Sequence, residues 1–203
     1  MASENKDKHN DKDTLCFEHS VMLYLHDFTH LLAVIMLIFL FLFRVVIVSG
    51  SSMYSTLWDG DLLLVAGSVL YSDPQQGDII VASKDSFNFG EPIIKRVIAT
   101  EGQTVDIDFE SGVVYVDGEA LQEPYTYTPT NVQEGIEFPI TIAEGCIFAM
   151  GDNRNGSRDS RDPSIGMIDT REVLGKALFL LFPGSGEKKN AAPRDFYRSG
   201  ALN

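Results

Sequence analysis

The chain has 203 residues, with 44% apolar and 22% charged side chains and a formal net charge of −13. That size and balance suit one or two globular domains and exclude wholesale disorder or a collagen-like repeat. The acidity argues against a nucleic-acid binder, which must neutralise phosphates with Lys and Arg, and against electrostatic attachment to anionic lipid.

The first element in chain order is apolar. Residues 31–43 read LLAVIMLIFLFLF, and VVIV follows after Arg44. A membrane-spanning helix needs about 20 mostly apolar residues, and 28–47 supplies them, with Arg44 near enough to one end to reach the interface. A cleaved signal peptide is the rival reading, but twenty-seven residues precede the run and only Ser49-Gly50-Ser51 offers a small-residue cut. Lys6, Lys8 and Lys12 lie before the segment, and after Arg44 no Lys or Arg occurs until Lys84. The positive-inside rule then makes 1–27 a cytoplasmic tail, 28–47 a single-pass anchor in the cell membrane, and 48–203 an extracytoplasmic domain.

Beyond the anchor the pattern is that of short strands. Residues 62–65, 79–81, 93–98, 113–116 and 147–150 are apolar or β-branched and bounded by Gly, Asp, Asn or Pro. They predict an all-β domain, a partly closed barrel or sandwich. The acidic stretch 102–145 reads as a β insertion or as one long hairpin. Residues 184–203 read as a loosely ordered tail.

All four histidines (His9, His19, His26, His30) fall in the first thirty residues, and the two cysteines, Cys16 and Cys146, lie on opposite sides of the anchor. An enzyme built from residues 48–203 therefore works without Ser-His-Asp, Cys-His or His-ligated zinc chemistry. Lysine becomes the candidate base. Of Lys84, Lys95, Lys176, Lys188 and Lys189, only Lys95 sits in a strongly apolar strand, IIKRVI. Burial there disfavours the ammonium and makes a usable base, although a lysine at a strand edge that reaches solvent fits the segment as well. Two further segments stand out. SGSSMYSTLWDGD, residues 49–61, is either a serine-rich loop or the home of a nucleophile. MGDNRNGSRDSR, residues 150–161, is either a solvated turn or a buried ion-pair platform.

Together these segments resemble the bacterial type I signal peptidases, membrane-anchored Ser/Lys proteases. GSSMYSTL (50–57), GDIIV (77–81), IIKRV (93–97), GDNRNGSRDSR (151–161), IGMI (165–168) and GKALFLLFP (175–183) follow the family's boxes in order. The resemblance implies removal of signal peptides from secreted preproteins, after small residues, through an acyl-enzyme. Ser52 is then the nucleophile and Lys95 the general base. Ser157 hydrogen-bonds and orients the lysine, and Asp159 with Arg161 and Asp152 with Arg96 form supporting ion pairs. Val48, Met53, Leu57 and Ile94 line shallow apolar subsites. No cofactor, metal or nucleic acid is implied; the partners are signal peptides and the lipid bilayer. Ser55 stands where the family usually has proline, Glu101-Gly102-Gln103 replaces its usual Pro-Gly-Asp, and Gly50 replaces a serine that helps some members bind the oxyanion. Backbone N–H groups, that of Ser52 included, are then the implied oxyanion donors. A LexA-like Ser/Lys autoprotease shares the chemistry but not the anchor. A catalytically inactive tethered relative is at odds with the retained Ser52 and Lys95.

Overall fold

The structure is a computed structural model that describes residues 2–84, 91–184 and 200–202, with side chains described from Val21 onward. The tail expected at 184–203 lies almost entirely outside the described residues, as do Lys188 and Lys189. The chain forms two compact units, Met1–Phe41 and Leu42–Asn203.

The first unit is helical. Helix α1 runs Ala2–Leu42, and its segment Val21–Leu42 is 22 residues long, apolar and exposed. At 1.5 Å per residue it measures about 33 Å, enough to cross the roughly 30 Å hydrocarbon core of a bilayer. The apolar segment differs from the expected 28–47 at both ends. Upstream, Val21-Met22-Leu23-Tyr24-Leu25 extends it past His26 and Asp27, the polar pair at which the sequence reading stopped. Downstream, Phe43–Ile47 is not helical but forms strand β1. Its β-branched Val45, Val46 and Ile47 are stiff at χ1 and favour a pleated surface, and its backbone pairs antiparallel with the next strand.

The second unit is mainly β. After β1 come β2 (Leu62–Gly67), β3 (Ile79–Ser83), β4 (Pro92–Thr100), β5 (Thr104–Asp108), β6 (Val113–Val116), β7 (Glu119–Ala120), β8 (Ile140–Thr141), β9 (Cys146–Met150), β10 (Ile168–Asp169), β11 (Val173–Phe182) and β12 (Gly200–Ala201). The larger sheet has the order β1-β2-β11-β3-β4-β9-β10, with β12 on β11, and every pairing is antiparallel. The smaller sheet, β7-β6-β5-β8, is inserted between β4 and β9. Its β6–β7 hairpin turns on Asp117 and Gly118, both at positive φ, the conformation a two-residue Asp-Gly turn requires.

Both faces of the large sheet's centre are covered. Ile79 and Val81 join Val48, Met53, Leu57, Leu63, Val65, Ala177 and Leu180 in one core, while Ile80 and Ala82 join Val97, Ile147, Ala149 and Ile168 on the opposite face. Two-sided burial explains why β3 and β9 are unbroken apolar runs rather than alternating ones. A third core, with Val105, Ile107, Val114, Ile142 and Phe148, closes the smaller sheet. Across β1, β2 and β11, by contrast, Val45, Leu64 and Phe179 lie in one register row and Ile47, Leu62 and Phe182 in another. Val45, Ile47, Phe179 and Phe182 are exposed.

Candidate active site

The segment 48–61 is a loop tied shut at its base. Val48 N–H donates to the Asp61 carbonyl and Gly60 N–H to the Val48 carbonyl, at 2.8 and 2.9 Å. The Asp61 carboxylate accepts from Trp58 N–H, and that of Asp59 from Gly50 N–H, each at 2.8 Å. Met53 and Leu57 are sunk into the core at 1% and 0% exposure. These anchors fix Ser52 between them. Its N–H is not engaged by any described residue. Ser51 and Ser55 are exposed.

Lys95 comes from β4, where it faces Ile80 of β3. On the other side the β4–β9 ladder begins only at Arg96 and Met150, so the chain leaves β9 at Gly151 and opens space beside Lys95. Lys95 Nζ lies 2.9 Å from Ser52 Oγ. The lysine is only 4% exposed. Burial lowers its pKa from 10.5 to about 8; Asp159, Glu134 and Asp152 pull the other way, and Arg161 adds to the lowering.

Around this pair the loop 150–161 is a buried platform rather than a solvated turn: Asp152, Arg154, Asp159 and Arg161 are all at 0% exposure, and of its charged side chains only Arg158 reaches solvent. Arg96 grips Asp152 with two hydrogen bonds of 2.9 and 2.8 Å and donates a third, 2.8 Å, to the Gly77 carbonyl. Arg161 holds Asp159 by Nε and Nη2, both at 2.8 Å, and Asp159 accepts from Gly151 N–H at 2.9 Å. The platform is stitched to the serine loop: Asn153 N–H donates to the Ser52 carbonyl at 3.0 Å, Asn153 Nδ2 to the Ser51 carbonyl at 3.1 Å, and Thr56 Oγ1 to Asp152. Gly151 is required at this crossing. A Cβ there would stand 2.1 Å from Ser157 Oγ and 2.4 Å from the Ser52 carbonyl oxygen.

The structure thus brings Ser52, Lys95, Asp152, Arg96, Asp159, Arg161 and Ser157 together, with two departures. Ser157 is 5% exposed, but its Oγ has no hydrogen-bond partner among the described residues. The expected bond from Ser157 to Lys95 is not formed; the hydroxyl lies against Gly151. Among the expected wall residues, Val48, Met53 and Leu57 belong to the core, and Ile94, half-buried against them, alone keeps appreciable exposure.

Sequence reasoning missed five contributors. Glu123 pairs with buried Arg154, which also donates to Thr130 Oγ1 at 3.0 Å. Tyr125 lays its ring 4.0 Å from the Arg96 guanidinium. Thr56 and Glu134 complete the set. Four of the five come from the insertion, whose sequence carries no periodic sign of such pairing. Among the described residues no group of three or more His, Cys, Asp or Glu is arranged to hold a metal ion. A serine in contact with a buried lysine of lowered pKa, beside an unengaged N–H, can perform acyl transfer.

The sequence profile of one family, signal peptidase, peptidase S26, matches residues 21–182. Among similar proteins are a probable signal peptidase I-1 of Synechocystis sp., 37% identical over 145 residues covering 68% of this chain and 70% of that protein, and a signal peptidase I of Bacillus licheniformis, 36% identical over 155 residues covering 73% and 81%. A crystal structure of a signal peptidase I from Enterococcus faecalis aligns with 51% of this chain and 96% of its own at 30% identity and a TM-score of 0.42.

Proposed function

Since the chain belongs to the signal peptidase family, peptidase S26, we propose that it is a membrane-anchored signal peptidase I whose catalytic dyad is Ser52 and Lys95. The observation that carries this assignment is the 2.9 Å contact between Lys95 Nζ and Ser52 Oγ in a buried setting. Neutral Lys95 takes the Ser52 hydroxyl proton as Oγ attacks the carbonyl at the end of the signal peptide. The oxyanion is stabilised by preorganised donors, the Ser52 N–H among them. As the intermediate collapses, Lys95 protonates the leaving amine and the acyl group stays on Ser52. A water, deprotonated by Lys95, then releases the signal peptide and regenerates the dyad.

The remaining roles follow from what each residue touches. Asp152 with Arg96, and Asp159 with Arg161, hold the platform on which the serine loop rests. Ile94 offers apolar surface to the small side chains before the cut, and Val48, Met53 and Leu57 shape that surface from beneath. Gly50 carries no side-chain donor and its own N–H is committed to Asp59, so other backbone N–H groups, that of Ser52 included, bind the oxyanion. Helix segment Val21–Leu42 is the anchor, with the N-terminus cytoplasmic and the catalytic domain outside. The exposed apolar face across β1 and β11 supports the bilayer as a second partner. The family match runs through the anchor segment, which disfavours a LexA-like autoprotease, and the intact dyad contact disfavours a catalytically inactive relative.

The test is to incubate the detergent-solubilised full chain with a preprotein and sequence the product's N-terminus. Cleavage after a small residue, lost in Ser52→Ala, is expected. An intact preprotein after prolonged incubation with the wild-type chain would overturn the reading.

A further inference from the structure

One segment of the insertion, residues 132–136, is strapped across the platform more firmly than a surface loop requires. The Val132 carbonyl accepts from Arg161 Nη1 at 3.0 Å, and Ile136 N–H donates to the Arg161 carbonyl at 3.1 Å. Gly135, at φ +117°, lies so close to Pro163 that a Cβ would stand 3.3 Å from its ring. This strap delivers one carboxylate, Glu134, to the Asp159–Arg161 pair. Its Oε1 is 3.4 Å from Arg161 Nη2, and its Oε2 accepts from Asp159 N–H at 3.3 Å, with the side chain 15% exposed.

We propose that Glu134 is a positioning residue for the Ser52–Lys95 reaction: held by the strap, it keeps the surroundings of Lys95 net negative and so fixes the pH at which the base becomes available. The charges that act on Lys95 are those of Asp152, Asp159 and Arg161 in the platform and of Glu134 on the strap, with Arg96, paired to Asp152, next to it on β4. Glu134 itself faces Asp159, Arg161 and Asp162. The three carboxylates Asp152, Asp159 and Glu134 stand against two guanidiniums, Arg96 and Arg161. With Lys95 neutral the group carries one net negative charge; with Lys95 protonated it carries none. Without Glu134 the neutral-lysine state is balanced instead. The carboxylate therefore opposes the lowering that burial causes and holds the base near mildly alkaline pH.

This inference rests on the dyad reading, and one experiment separates the two. The kcat/KM of the full chain in detergent is measured against pH for the wild type, Glu134→Gln, Glu134→Asp and, as an exposed control just beyond the strap, Glu137→Gln. An acid limb in the wild type tests the dyad; only its displacement between variants tests Glu134. Glu134→Gln should move the midpoint down by about 0.3–1 pH unit, while Glu134→Asp and Glu137→Gln stay within error of the wild type. An unmoved or raised midpoint in a folded Glu134→Gln overturns the proposal. So does failure of both Glu134→Gln and Glu134→Ser to fold while Glu134→Asp folds, because Glu134 would then be a structural ion-pair partner.

Discussion

At Lys95 the requirements of folding and of chemistry oppose each other. A fall from 10.5 to about 8 disfavours the buried ammonium by roughly 3 kcal/mol. Because the folded state holds this proton less tightly than the unfolded one, the penalty is full below pH 8 and fades as the pH rises towards 10.5. Lys95→Met should therefore be more stable than the wild type at pH 7, by up to roughly 3 kcal/mol, with the gain gone near pH 10.5; urea unfolding at the two pH values checks this. The same variant is inactive, and so is Lys95→Arg, whose guanidinium stays charged. Wild-type kcat/KM should climb through about pH 8 as Lys95 loses its proton, and a flat profile from pH 6 to 9 would contradict a lysine base. Ser52 and Ser51 are adjacent but differently placed: Ser52 Oγ touches Lys95, whereas Ser51 is exposed and serves through its carbonyl. Cleavage of a fluorogenic peptide should vanish in Ser52→Ala and largely survive in Ser51→Ala.

At the scale of elements, the platform 150–161 and the insertion explain each other. Arg96 and Asp152 are almost completely desolvated, so removing one partner strands the other charge. Arg96→Met should cost about 3–5 kcal/mol, and Arg96→Met with Asp152→Leu should recover a large part of it. Thermal unfolding of the single and double variants measures the difference, and equal loss in both would show that the pair is not the source. The strands at 62–65, 79–81, 93–98, 113–116 and 147–150 were legible because β-branched and apolar residues cluster there between turn residues. The mainly β fold followed from them. The ends of the apolar helix were not legible: His26 and Asp27 interrupt its upstream part, and Val45–Val46–Ile47 continues the apolar run although it belongs to a sheet. The missing histidines and an apolar strand singled out Lys95 as the candidate base, but its segment also fitted a solvent-reaching lysine, and Ser52 was singled out within its serine-rich segment only by the family resemblance. Glu123 and Glu134 could not be picked out, since their partners lie 31 and 25 residues away through loops without period. The Ser157 hydroxyl, turned onto Gly151, depends on a backbone crossing that no motif encodes.

For the whole molecule the first question is orientation. Lys6, Lys8 and Lys12 precede the helix, and the following stretch is free of Lys and Arg from Val45 to Ser83. Protease added to intact protoplasts should degrade the domain beginning at β1 and spare the tail, as read with an N-terminal epitope tag; a protected domain would reverse the topology. The long reach of the site's contacts also bears on how the enzyme is made. Thr56 bonds Asp152 across 96 residues and Asn153 bonds the Ser51 carbonyl across 102. On the proposed topology the N-terminus stays inside and the domain emerges from its anchor-proximal end, so Ser52 and Lys95 are outside long before the platform that buries the lysine. Until then the lysine is hydrated and charged, and the serine has no base. Contacts across 96 and 102 residues cannot form before the platform itself has emerged, so on that topology the nascent protease is born silent. It gains the power to cut its trailing chain, or other polypeptides leaving the same channel, only after its own export is nearly complete.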